Sequence, residues 1–130
     1  MIKNAFRYVR TEVDGEKFLK DTGNKYMLIS QSPFKGKENE NGEVILPTGV
    51  KVRLQIMEDF SEAIMNRKTG EIMEDNRLET FEATVVGCDY PLPFQRGEMV
   101  SLEGFLPEFS YYIDHNFILR FRKIEEHKDK

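Results

Sequence analysis

Two adjacent tyrosines, Tyr111 and Tyr112, stand in the polar stretch PEFSYYIDHNF, and four cations, Lys51, Arg53, Arg120 and Arg122, alternate with apolar residues along strand-like segments. Flat aromatic faces near positive charge suit the stacking of planar rings and the attraction of anions. Two further groups are similar in kind. Phe34 and Lys35, with Lys37 beyond, open the segment FKGKENENGE, and Arg67 and Lys68 stand at the turn signature Lys68-Thr69-Gly70-Glu71. Each cation taken alone also fits a solvated surface paired with one of the many glutamates. Each tyrosine also fits a half-buried cap on a core.

No catalytic constellation accompanies these residues. The single cysteine, Cys88, excludes an internal disulfide and a cysteine zinc cluster, and its place after Val85-Val86-Gly87 suits a small buried or half-buried apolar residue. The two histidines are His115, in the tyrosine loop, and His127, in the tail EEHKDK. Asp89, Asp114 and His115 lack the spacing that fixes three metal ligands. There is neither a phosphate-cradling glycine loop nor a G-x-S-x-G nucleophile elbow. The expectation is a non-catalytic protein with no metal, no cofactor and no small-molecule substrate.

With 130 residues, 39% hydrophobic and 32% charged, the chain fits one domain, with residues 1–24 as an N-terminal arm and 126–130 as a frayed tail. No apolar run approaches the roughly 20 residues that cross a bilayer, and MIKNAFRYVR lacks a secretory apolar segment, so a cytoplasmic protein away from membranes is expected. The net charge of −4 supplies no global attraction to nucleic acid. The acids cluster at Glu38, Glu40 and Glu43 and from Glu58 through Glu82, which leaves room for local positive patches.

These residues need strands to position them. In VKVRLQI, Val50, Val52, Leu54 and Ile56 point one way and Lys51, Arg53 and Gln55 the other, the period of a half-buried strand. Phe81, Ala83 and Val85 share a face in LETFEATVVG, as do Phe117, Leu119 and Phe121 in FILRFRKIEE. KYMLISQS reads as a strand bounded by Pro33, and FKGKENENGE as a mobile loop. Residues 57–78 read as a protruding β-hairpin, with a short helix over SEAIMNRK as the alternative. Residues 1–24 read as a strand from Phe6 to Val13 followed by EKFLKD, either the second arm of a hairpin or a helical turn stopped at Gly23-Asn24. Pro91 and Pro93 force a turn, and Phe94 and Phe105 belong in the core. The fold class expected is all-β with one short helix, a small closed barrel.

The order of a long strand, a protruding hairpin, a strand ending in VVG, a bend, the pattern G-x-x-V-x-L-x-G from Gly97 to Gly104, a loop and a closing strand from Phe117 to Ile124 resembles the OB-fold of bacterial single-stranded-DNA-binding proteins over roughly residues 48–125. That glycine pattern also occurs in other small barrels, where it permits tight bends. The resemblance implies a five-stranded barrel that binds single-stranded DNA, or RNA, with little sequence preference, and that can form homo-oligomers. Tyr111 and Tyr112 would stack on bases, Lys51, Arg53, Arg120 and Arg122 would line a basic groove, and Arg67 with Lys68 and Phe34 with Lys35 would clamp the strand. The chain has no tryptophan and stops at EEHKDK without the family's Gly/Pro/Gln-rich tail. It looks more like the accessory single-strand binders of phages and conjugative elements than a chromosomal housekeeping protein. The alternative is a barrel that docks a protein partner through the same aromatics, as an assembly factor of a phage or plasmid.

Overall fold

Alternation of polar and apolar residues becomes strand wherever one face can be buried, and in the computed structural model this happens around a closed ring. The structure describes residues 3, 13–62, 67–72, 75–113 and 116–128, with the backbone alone for 111–113, 116 and 117. The strands are β1 (Tyr26–Phe34), β2 (Lys37–Glu38), β3 (Val44–Leu46), β4 (Gly49–Ile56), β5 (Thr80–Val86), β6 (Met99–Phe105), β7 (Tyr111–Ile113) and β8 (Asn116–Glu126). Five of them close a barrel. β1 pairs antiparallel with β4 and β6, β4 with β5, and β6 with β8, and a parallel pairing of β5 with β8 seals the ring. The small all-β barrel expected from the sequence is therefore the fold observed. No described helix is long and apolar enough to cross a membrane.

The barrel interior is built from the apolar face of each strand. Val50, Val52, Leu54 and Ile56 of β4 are buried while Lys51 and Arg53 are exposed, and they pack with Tyr26, Leu28, Ala83, Val85, Val100, Leu102, Leu119 and Phe121 in the main core cluster. Each fully buried Val, Leu or Phe side chain stabilises the fold by roughly 1.5–3 kcal/mol. Phe94 and Phe105 pack against this core as expected. Cys88 is half-buried, its thiol donating to the Val85 carbonyl at 3.4 Å, and burial pushes its pKa up, so it stays protonated at neutral pH.

Of the two readings left open for EKFLKD, the helical one holds: α1 spans Gly15–Asp21. Asp14 caps it by accepting from the Lys17 N–H at 3.0 Å, and Leu19 is buried in the main core cluster. The strand expected from Phe6 to Val13 falls almost wholly outside the described residues. So do the arms of the 57–78 hairpin at 63–66 and 73–74, although a turn at Arg67–Thr69 and an isolated bridge at Ile72 are present.

The segment read as a mobile loop is instead ordered. β2 and β3 form a hairpin whose turn is held by Asn39, which accepts at Oδ1 from the N–H groups of Asn41 and Glu43, both at 2.9 Å. Phe34 is correspondingly the last residue of β1. It is buried with Leu46, Val86 and Leu106 in a second apolar cluster at the barrel mouth.

Tyr26 carries a measurable signature of the core. Its ring meets Phe81 edge-on at 5.0 Å, its hydroxyl bonds Thr22 Oγ1 at 2.6 Å, and burial pushes its pKa up to about 12. The unfolded chain releases this proton first, near the ordinary value of about 10. The stability Tyr26 contributes is therefore full below pH 10 and is lost between about 10 and 12, by roughly 2–3 kcal/mol in all. Tyr26→Phe should cost about 1 kcal/mol at pH 7 but flatten that alkaline decline. Denaturant melts of both proteins at neutral and alkaline pH test this, and equal declines would contradict the shift.

Candidate functional site

Residues directly opposite each other across a ladder share a face. The pairings therefore place Ser32, Lys51, Thr84 and Arg120 in one row across β1, β4, β5 and β8, on the outside of the barrel. The next row along holds Ser30, Arg53 and Glu82, with Ile118 adjoining on β8. The barrel thus presents a polar outer face whose cations come from two strands, β4 and β8.

A groove of about 300 Å³ opens over this face, lined by Lys51, Glu82 and Thr84 on the floor, Ile118, Leu119 and Arg120 along β8, and Phe34 and Lys37 from the β1 end and the β2–β3 hairpin. That volume is at the lower end of the roughly 300–1,000 Å³ of small-ligand sites. Among the described lining residues Lys37, Lys51 and Arg120 outnumber Glu82, so their summed charge is positive although the chain as a whole carries −4.

Arg120 departs from its expected place on an exposed face. It is 6% exposed, because the turn at Pro107–Phe109 and the Phe34 cluster close over it. Its Nη1 donates to the Phe109 carbonyl at 2.9 Å, its guanidinium carbon lies 5.7 Å from the centre of the Phe34 ring, and its backbone N–H donates to Ser110 Oγ at 3.0 Å. Arg120 therefore fastens the rim while lending charge to the groove. Phe34, expected in a flexible loop, is 9% exposed and supplies the ring under this cation.

Arg53 is exposed on the floor beside the groove and pairs with Glu82, Nη2 to Oε1 at 3.3 Å, and with Thr80 Oγ1 at 3.4 Å. An ion pair this exposed contributes at most about 1 kcal/mol to stability. The remaining expected residues are not gathered here. Arg122 is exposed and lies across Gly104 of β6, and Lys35, Arg67 and Lys68 are exposed away from the lining.

Tyr111 and Tyr112 lie on β7, which pairs with β8 so that Tyr111 stands opposite Ile118 and Tyr112 opposite Phe117. The stretch read as a loop is thus tied by backbone hydrogen bonds to the groove rim at Ile118. His115 and Asp114 lie outside the described residues. Glu82, Thr84 and Ile118 were not singled out from sequence. The available signal was the polar set Thr80, Glu82 and Thr84, which alternates with Phe81, Ala83 and Val85 just as Lys51 and Arg53 alternate with their apolar neighbours.

No family model matches this chain, and neither a curated protein nor a solved structure does.

Proposed function

We propose that the barrel is an OB-fold and that it binds single-stranded DNA, or RNA, without catalysis and with little sequence preference. Counting the barrel strands in chain order, the first pairs with the second and fourth, the second with the third, and the third in parallel with the fifth. In OB-folds oligonucleotides bind the face of the second and third strands, between the loops that follow the first and fourth. The observation that carries the reading is that the basic groove lies on the corresponding face. It is flanked by the β2–β3 hairpin after the first strand and by the tyrosine segment after the fourth. Cations there meet phosphates, and the tyrosines carried by the flanking β7 stack on bases. By the same resemblance, the protein serves replication or transfer of a mobile element in the cytoplasm.

Anisotropy titration with a labelled oligothymidine of about 30 nucleotides tests the reading, since that length holds several typical footprints. Binding is expected to weaken with salt with a log–log slope of about −1.5 to −3, as for roughly two to four phosphates neutralised, and duplex DNA should not compete. Absence of binding at low salt would overturn it. A second reading, a barrel that docks a protein, is favoured by Val44 and Ile45, which are 66% and 46% exposed on the β2–β3 hairpin. A stoichiometric protein partner retained after nuclease treatment would support that reading instead.

A further inference from the structure

We infer that Arg53 and Glu82 together read a base and favour guanine at one position of the bound strand, an inference that rests on the single-strand reading above. Among the described groove-lining residues Glu82 is the lone carboxylate, and it faces the groove from the row next to Lys51 and Thr84. A channel built for phosphates alone gains nothing from a negative charge in its floor, since that charge repels the backbone it should attract. The row of Glu82 therefore suits base edges, and the row of Lys51 and Arg120 suits phosphates.

The pair is organised for this task. Arg53 and Glu82 stand directly opposite across β4 and β5, and the guanidinium is held between Glu82 Oε1 at 3.3 Å and Thr80 Oγ1 at 3.4 Å. Both side chains remain open to solvent, 49% and 63% exposed, so a ligand reaches them. The unit offers donors on the guanidinium beside an acceptor on the carboxylate. Guanine presents the complement, with O6 as an acceptor next to two N–H donors at N1 and N2 that a carboxylate receives together. Adenine and cytosine each bring one amino group to the carboxylate beside an acceptor ring nitrogen. Thymine brings a single N–H between two carbonyl oxygens, both of which repel the carboxylate. The expected order is guanine first and thymine last.

The test compares an all-thymine strand of about 30 nucleotides with one of the same length carrying guanine at about every sixth position, a spacing that discourages four-stranded guanine structures. The wild-type protein should bind the guanine-bearing strand more tightly by a factor on the order of ten. Glu82→Gln keeps the side-chain shape but removes the charge. It should bring the two affinities to within about two-fold and tighten binding to all-thymine, because a repulsive charge is gone. Arg53→Lys, which keeps the charge but loses the planar fork, should also lower the ratio, and thermal melts confirm that both variants fold. Equal wild-type affinities, or a preference that survives Glu82→Gln, would overturn the inference alone. Failure to bind either strand would overturn it together with the single-strand reading.

Discussion

Alanine at both Tyr111 and Tyr112 is expected to weaken single-strand binding by about 5- to 150-fold, since a base–aromatic stack is worth roughly 1–3 kcal/mol. The fold should survive. β7 is held to β8 by backbone pairing across Tyr111–Ile118, Tyr112–Phe117 and Ile113–Asn116, and side-chain truncation leaves those hydrogen bonds in place. Alternation along β7 puts the two tyrosines at register positions on opposite faces. Because Ile118, the partner of Tyr111, lines the groove, Tyr111→Ala should account for most of the loss when the variants are made singly. Anisotropy titrations at one salt concentration, paired with thermal melts, separate binding from folding. A folded double variant with wild-type affinity would remove the tyrosines from the interface.

Gly49→Ala should destabilise the barrel by more than about 3 kcal/mol, lowering the melting midpoint by on the order of 10 °C. Gly49 stands at the first position of β4, opposite Phe34 on one side and Val86 on the other. A methyl group there would run into the Val85 carbonyl oxygen and lie 2.9 Å from the Val86 Cα. These are backbone atoms on the neighbouring strand, with no rotamer to escape through. Relief requires the strands to part where Phe34, Leu46 and Val86 form the cluster beneath the groove rim. Strand binding should therefore weaken together with stability, in contrast to the tyrosine variants. Denaturant unfolding of the variant decides the matter, and wild-type stability would show that the strands do not approach so closely.

Much of the basic face was legible from local pattern. Lys51 and Arg53 alternate with four buried residues of β4, and a strand half in water repeats every two residues whatever its partners. Arg120 was misplaced by the same rule. Its alternation with Leu119 and Phe121 marks an outward face, yet that face is covered at Arg120 by Phe34 and the Pro107–Phe109 turn, segments brought in from elsewhere in the chain. Val86 and Thr84 are buried on β5 although their alternation partners Val85 and Ala83 already fill the core. The order of the β2–β3 hairpin was likewise hidden, because a composition rich in Asn, Gly and Glu suits a mobile loop equally well until Asn39 finds its two N–H donors.

The sequence by itself determined the five strands of the barrel, which of their faces is apolar, and that the result is a small all-β barrel with one short helix. Those properties follow from propensity and period within a few residues. Only the tertiary structure decided that Lys37, Lys51, Glu82 and Arg120 meet in one groove, that Glu82 stands against Arg53, and that the tyrosine segment is pinned beside Ile118. Register and ring closure set these juxtapositions. Both depend on the summed burial of residues far apart in the chain, including the parallel seam of β5 on β8, and no local period records that sum.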